Sequence, residues 1–253
     1  MITKGKIQLV RSLADKNSRL DAGLFVAEGR KLVSEALASG YEVESLYVVE
    51  ESSCSAQFQC YGFAESVSAK DMERMSKLKT PSDVLAVIRI PDSALNPDTF
   101  GNTLALYLDC IQDPGNLGTI IRIADWFGIE NVACSPDCAD IYNPKTVQAT
   151  MGALFRVNVC HVAPDELFRK TAARKVPVYG TFLDGKDIYD AELSSDGIIM
   201  LGSEGHGISP LASQFVSKRL FIPPFPVSRH GSESLNVAVA AAVTCAEFRR
   251  RMR

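Results

Sequence analysis

Short apolar runs bounded by Gly, Pro or polar clusters dominate the second part of the chain: LALYLD, NVACS, VNVCHV, VPVYGT, GIIMLG and RLFIP. Segments with helical spacing separate them. This alternation predicts a mostly parallel sheet with helices on both faces, since strands covered on both sides are apolar throughout. Two helix starts are marked. Asn143 before Pro144 places an N-cap ahead of a first-turn proline, leading into KTVQATMGALF. Pro164, Asp165 and Glu166 open DELFRKTAARK with acids in the first turn. The last helix is SLNVAVAAAVTCAEFRRRM.

The first part reads as a small α/β unit. A basic helix over about residues 4–20 precedes a strand GLFVAE and a helix RKLVSEALASG that closes on Gly40. EVESLYVV alternates into a strand, KDMERMSKL is a helix and VLAVIRI is another strand. The stretch IPDSALNPDTFGN, residues 90–102, gathers prolines, Asp, Asn and Gly between two apolar strands. It divides the chain into expected domains 1–92 and 101–253.

Composition narrows the class. At 46% hydrophobic and 23% charged, the chain is an ordinary globular protein. No apolar run approaches the roughly 18 residues of a membrane span, and the N-terminus lacks a secretory apolar core, so a cytoplasmic protein is expected. Its seven cysteines are an odd number and read as reduced thiols. CSPDC (Cys134, Cys138) and Cys160-His161 lack the second pair that a zinc site needs, so no metal is expected. Net charge is −3, yet residues 1–31 carry seven cations against three acids, and the tail EFRRRMR is basic too. Basic ends on an acidic chain bind phosphate or form solvated helix faces. Charge alone leaves both open.

Active sites of open α/β sheets lie at the carboxyl ends of strands. Four such ends are rich in Gly, Pro and polar residues: LDCIQDPGNLG, YGTFLDG, LGSEGHG and IPPFPVSRHGSESLN. On a helix from about Asn116 to Phe127, Leu117, Ile120, Ile121 and Ala124 share one face, while Gly118, Arg122 and Asp125 share a narrower strip. Arg122 either pairs with Asp125 at i+3 or grips a phosphate beside Gly118. GIIMLGSEGHGIS runs a buried strand into a Gly-rich turn around Glu204, with His206 as a loop histidine. It is neither a Walker loop nor a dinucleotide fingerprint, which leaves a nucleotide-dependent oxidoreductase little support. In ESLNVAVAAAV, Ser234 can cap the last helix, the alanines permit close packing, and Asn236 has no evident structural role.

Together and in this order, DPGNLGTIIRIADWFG, IIMLGSEGHGIS and LFIP…ESLNVAVAAA resemble the three motifs of the SpoU/TrmH-like RNA 2′-O-ribose methyltransferases. The resemblance covers roughly residues 104–250. VRSLADKNSRLDAGLFVAEGRKLV also resembles the small RNA-binding domain that precedes the catalytic domain in ribosomal-RNA members. It implies an α/β catalytic fold with a C-terminal trefoil knot, S-adenosylmethionine as cofactor, a homodimer whose catalytic residues face the partner's cofactor, and RNA as substrate. No hydrophobic pattern would lead to a knot. Asn116 and Arg122 match the first motif's polar pair, and Gly202 and Glu204 the second. Ile222, Pro223, Ser234, Leu235 and Asn236 match the third. The implied catalytic set is Arg122, Asn116, Glu204, Ser234 and Asn236. Thr181, Leu201, Gly202, Ile222, Pro223 and Leu235 are the implied cofactor contacts, and Lys4, Lys6, Arg11, Lys16 and Arg19 the implied RNA arm. The segment between Pro223 and Ser234 is about four residues longer than is usual in relatives, and Ser228, Arg229 and His230 in it have no family role.

Methyl transfer to a ribose 2′-OH is an in-line displacement governed by positioning. Family proposals make the arginine at position 122 the general base. Arginine is effectively always protonated, so the alternative is a bidentate phosphate clamp that also lowers the hydroxyl's pKa. Asn116 and Ser234 would orient the hydroxyl, and Glu204 would position Arg122 or brace its loop. Ribosomal RNA is the expected substrate. The alternatives are a tRNA 2′-O-methyltransferase and a catalytically silent RNA-binding protein of ribosome assembly.

Overall fold

The computed structural model describes residues 2–92, 100, 103–172, 174–226 and 234–252. It forms two compact units, Met1–Asp92 with Tyr142–Phe155, and Ser93–Ile141 with Arg156–Arg253.

In the first unit the expected basic helix is two helices, α1 (Lys4–Ser12) and α2 (Lys16–Ala22). Leu13 turns fully inward, and Asp15 restarts the helix by accepting a hydrogen bond from the Ser18 backbone N–H at 3.1 Å. The chain continues as β1 (Leu24–Glu28), α3 (Arg30–Ala38), β2 (Val43–Val49), α4 (Ser55–Gln59), β3 (Ala64–Val67), α5 (Ala69–Met75) and β4 (Val84–Arg89). The sheet order is β1-β4-β2-β3, with β4 antiparallel to both neighbours and β3 parallel to β2. α3 stops at Ala38, short of Gly40, because Ser39 is already extended. The helix Pro144–Thr150 packs on β1, where Gln148 Nε2 donates to the Glu28 carbonyl at 2.7 Å. Phe25 lies 4.8 Å from the Tyr142 ring.

The second unit runs β5 (Leu104–Asp109), α6 (Pro114–Trp126) and β6 (Asn131–Cys134). After α7 (Pro144–Thr150) and a 3-10 turn at Ala153–Phe155, it returns as β7 (Asn158–His161), α8 (Pro164–Ala172) and β8 (Val178–Asp187). β9 (Gly197–Gly202), α9 (Pro210–Ser213), β10 (Lys218–Phe221) and α10 (Val237–Arg250) complete it. The sheet order is β10-β8-β9-β5-β6-β7 and every pairing is parallel. The six apolar runs are its six strands. β5 is buried throughout and β9 nearly so, as expected of strands covered on both faces.

β8 extends beyond its apolar run, and its pairing with β10 slips: Arg219 aligns with Gly180 but Leu220 with Lys186. At the slip a Cβ on Gly185 would lie 2.5 Å from the Leu220 backbone, so only glycine fits. The alanine-rich last helix is used within the chain. Ala238, Ala241 and Cys245 are buried, and α10 packs on α6. No helix among the described residues is long and apolar enough to cross a membrane.

Candidate active site

Three loops gather at the carboxyl ends of the parallel strands. The first leaves β5 at Asp109, which is buried and accepts a hydrogen bond from the Ser209 N–H at 2.6 Å, tying it to the segment after β9. Cys138 holds the same loop. Its thiol donates to the Leu108 carbonyl and its sulfur accepts from the Ile111 N–H, each at 3.2 Å. CSPDC is therefore architectural here. Cys110, next in the loop, is not poised as a nucleophile, since burial and the neighbouring Asp109 charge push its thiol up from the ordinary value.

Asp113 then caps α6, accepting from the Asn116 N–H at 2.8 Å. The helix thus starts at Pro114, two residues before the expected Asn116, because Asp113 caps it and Pro114 takes the first helical position. The cap sets the direction of the Asn116 side chain. The second loop leaves β9 at Gly202. Ser203 and Gly207 exchange backbone hydrogen bonds of 3.1 and 2.8 Å, closing a tight turn that presents Glu204. A Cβ on Gly202 would lie 2.1 Å from the Gly207 carbonyl carbon, so the turn closes only on glycine. The third segment enters α10.

These segments meet on one carboxylate oxygen. Glu204 Oε1 accepts from Asn116 Nδ2 at 2.9 Å, from Asn236 Nδ2 at 2.6 Å and from the Val237 N–H at 3.3 Å. Asn236 Nδ2 also reaches Asn116 Oδ1 at 3.1 Å. Asn236 is the N-cap of α10, its Oδ1 accepting from the Ala238 and Val239 N–H groups at 3.0 and 3.3 Å. Two expectations are corrected here. Ser234 does not cap the helix, because the helix begins at Val237 and Asn236 takes that place. Asn236, with no evident role in the sequence, has both ends of its amide occupied.

Arg122 does not join this cluster. It is exposed on α6 and makes no hydrogen bond or ion pair with the described residues. Its expected partner is taken: Asp125 receives Arg156 in a bidentate pair, Nε at 3.0 Å and Nη2 at 2.8 Å. Arg156 lies outside every motif, and nothing local announced it. The expected polar strip is corrected in one more respect, since Gly118 is buried while Arg122 is exposed. Arg122 lies six residues from Asn116, about 120° around the helix, so the two side chains leave α6 in different directions. Its helical neighbours at i−3 and i+4 are Thr119 and Trp126, both exposed, Trp126 at 85%.

The remaining expected residues line neighbouring strand ends. Leu201 is buried in β9, and Thr181 Oγ1 in β8 donates to the Met200 carbonyl at 3.4 Å. Ile222 and Pro223 follow β10 half-buried, while Ser234 and Leu235 are exposed. β10, β8 and β9 are adjacent in the sheet, so Leu201, Thr181 and the Ile222–Pro223 pair belong to three neighbouring strands or their exits. Ser228, Arg229 and His230 lie outside the described residues.

The RNA-arm expectation divides. Lys4, Arg11 and Lys16 are exposed, and Lys6 is paired with Glu65. Arg19 is corrected: it is only 2% exposed, and its guanidinium donates to the Leu13 carbonyl at 2.7 Å, closing the end of α1. The basic tail is corrected likewise. Arg249 donates to the Phe127 and Gly128 carbonyls at 2.7 and 2.8 Å, and Arg250 and Arg251 both bind Glu247.

The SpoU rRNA Methylase family matches residues 103–246, which contain all three converging loops. The chain belongs to this family. Residues 4–86 match the MRM3-like substrate binding domain. Among curated relatives, the 23S rRNA (guanosine(2553)-2′-O)-methyltransferase RlmP of Bacillus subtilis (strain 168) is 31% identical over 243 residues, covering 94% of this chain and 93% of that protein. A solved structure described as an RNA methyltransferase of the TrmH family from Porphyromonas gingivalis matches with a TM-score of 0.88 and 38% identity, covering 99% of both chains. The SpoU methyltransferase AviRb from Streptomyces viridochromogenes, solved in complex with the cofactor AdoMet, matches with a TM-score of 0.88 at 25% identity, again over 99% of both chains. In SpoU family terms, the Asn116–Glu204–Asn236 knot of hydrogen bonds joins all three motifs.

Proposed function

We propose that this chain transfers a methyl group from S-adenosylmethionine to a ribose 2′-OH of ribosomal RNA. The observation that carries the reading is the convergence of Asn116, Glu204 and Asn236 on one carboxylate oxygen at the strand ends of a SpoU family chain. Ribosomal RNA is favoured over tRNA because residues 4–86 match a substrate-binding domain and RlmP acts on 23S rRNA.

The residues suit the cofactor. Apolar Ile222 and Pro223 directly follow β10, exposed Leu235 precedes α10, and the turn after β9 cannot admit a Cβ at Gly202. Thr181 in β8 and the backbone of buried Leu201 in β9 would add to the same binding region. When bound, S-adenosylmethionine supplies the electrophilic sulfonium methyl. That methyl would be open to in-line displacement by the hydroxyl oxygen, with the sulfur as leaving group and the hydroxyl proton lost to solvent. Asn116 and Ser234 orient the hydroxyl, while Arg122 clamps the adjacent phosphate bidentately and stabilises the developing alkoxide. Glu204 and Asn236 are positioning residues: they fix Asn116 and the start of α10 rather than touch the ribose.

Because Arg122 stands about 120° around α6 from Asn116, it serves the site of a second subunit. A homodimer is what the family resemblance implies, and Trp126, Leu235 and Val239, which are 85%, 47% and 49% exposed in the single chain, are the apolar side chains it would cover; a cytoplasmic location belongs to the same reading. The C-terminal knot belongs to the same proposal.

The test is incorporation of labelled methyl from S-adenosylmethionine into unmodified ribosomal RNA, with alkaline hydrolysis locating a resistant phosphodiester. Methyl found on a base, or no cofactor binding by calorimetry, would sink the reading; the second outcome favours a silent assembly protein. Subunit sharing has its own test. Inactive Arg122→Ala and Asn236→Ala dimers, exchanged with each other, should regain about a quarter of wild-type activity, because half the dimers carry one intact site. No recovery would place both residues in one subunit's site.

A further inference from the structure

Within the first unit lies a cavity of about 470 Å³ that no motif predicts. That volume falls in the roughly 300–1,000 Å³ range of small-ligand pockets. Its floor is apolar, made by Val10, Val26, Met75 and Leu78. Its rim carries Lys77, Lys79 and Lys145. All three are exposed, and Lys77 and Lys79 make no ion pair with the described residues. Lys145 comes from α7, beyond the matched substrate-binding segment 4–86.

One acid lines the same cavity. Glu28 is 6% exposed. Its Oε1 accepts from Ser76 Oγ at 2.6 Å and from the Ser82 N–H at 3.0 Å, and its Oε2 has no hydrogen-bond partner among the described residues. Oε2 is not sealed from solvent, so it can accept a hydrogen bond from a group that enters the cavity. Gln148 beside it spends one N–H on the Glu28 carbonyl, leaving its Oε1 without a partner among the described residues. An apolar slot with acceptors at its wall and cations at its mouth is complementary to a flat ring that carries N–H donors and has phosphates on either side.

We propose that this cavity takes an unpaired nucleotide of the RNA substrate, its base against Val10, Val26 and Met75, an N–H of the base on Glu28, and its flanking phosphates on Lys77, Lys79 and Lys145. It would be a recognition site separate from the reacting ribose, and it rests on the reading of the protein as an RNA methyltransferase. Recognition of splayed-out bases by apolar contact and edge hydrogen bonds is how single-stranded RNA is read.

Glu28→Gln separates this site from a mere basic patch. Removing an acid from a basic patch should tighten RNA binding, whereas exchanging an acceptor for an amide donor in a base pocket should weaken it. The probe is a fluorescein-labelled, mixed-sequence single-stranded RNA of about 16 nucleotides, read by anisotropy with the full chain. Glu28→Gln should raise Kd about fivefold with an unchanged salt slope, as expected for loss of one base contact. Lys77→Ala/Lys79→Ala should raise Kd about tenfold and flatten the slope of log K against log salt by about 1.4. Cofactor affinity, read by calorimetry, should stay at the wild-type value in both. Unchanged or tighter binding by Glu28→Gln overturns the proposal, as does a wild-type protein that does not bind the probe. Neither result depends on turnover. Wild-type protein that binds the probe but never transfers methyl would instead overturn the enzymatic reading alone.

Discussion

Arg249, Arg250 and Arg251 at one end of the chain and Lys4, Arg11 and Lys16 at the other look alike as text, being basic residues clustered on helices. In the fold they differ completely. The C-terminal arginines have partners within the chain: Arg249 completes the carbonyls at the end of α6, Arg251 donates to the Ile188 and Tyr189 carbonyls, and exposed Arg250 shares Glu247 with Arg251. The N-terminal cations stand in solvent. A guanidinium offers five donors in a rigid fork and can gather carbonyls from a helix end, which an ammonium does less well. Arg19, the buried exception at the N-terminal end, obeys the same rule. A basic run is therefore a candidate RNA surface only where its cations have no carbonyls or carboxylates of their own.

The largest effect expected from this contrast is on stability. Arg251→Ala removes hydrogen bonds donated to three carbonyls and one donated to Glu247, which is 5% exposed. We expect a loss of about 3 kcal/mol, or a Tm lower by about 6–12 °C, in thermal and denaturant unfolding. RNA affinity of the folded protein should not change. Weaker RNA binding with intact stability would erase the distinction between the two ends.

Glu247→Gln should cost less, and the loss should depend on pH. Hydrogen bonds from Arg250, then those from Arg251, hold the Glu247 carboxyl down to about 2, against an ordinary 4.5. A depressed carboxyl contributes stability that is present above its unfolded value and lost as pH falls through its folded one. The gap between wild type and Glu247→Gln should thus be widest above pH 4.5 and close toward pH 2, as measured by denaturant unfolding across that range. A gap independent of pH would mean the pair is not ionic.

At the other end the expected loss is in binding. Lys4→Ala/Arg11→Ala/Lys16→Ala should weaken RNA affinity about tenfold and flatten the salt slope by about 2–3. Stability should stay within about 0.5 kcal/mol. Point substitutions are preferable to deleting the N-terminal segment. Phe25 and the Glu28 carbonyl pack on Tyr142 and Gln148, so a truncation would strip cover from the 142–155 segment as well.

Reading by local pattern succeeded where short-range physics decides. The six parallel strands follow from uninterrupted apolar runs, and the phase of α6 buries Leu117, Ile120, Ile121 and Ala124 as its spacing requires. Outcomes set by competition over long sequence distances were not legible. Asp125 had Arg122 within its own helix, yet Arg156 captures it from 31 residues away. Asn236 looked idle because its partners, Asn116 and Glu204, lie 120 and 32 residues off. The slip between β8 and β10 is set by the close approach at Gly185. The return of residues 142–155 to the first unit rests on aromatic contacts that no periodicity encodes. In the candidate site, residue types came from the motifs, and which of those groups brace one another came only from the hydrogen bonds.

The smallest effect sharpens the comparison within the N-terminal end itself. Lys6 belongs to the same basic helix as Lys4 and Arg11, but Glu65 holds it, and that hydrogen bond is the main reason its ammonium titrates above the ordinary value. An ammonium already bound to a carboxylate must give up that partner, or share it, before it can neutralise a phosphate. Exposed pairs of this kind stabilise by only about 0–1 kcal/mol, so Lys6→Ala should scarcely move the Tm. It should also weaken RNA binding less than Lys4→Ala, since it removes a cation that is partly neutralised already. Glu65→Ala, which releases Lys6, should tighten RNA binding by about two- to threefold, a gain that fades as salt screens it. If Lys6→Ala instead weakened binding as much as Lys4→Ala, internal pairing would not be what separates an RNA-facing cation from a structural one.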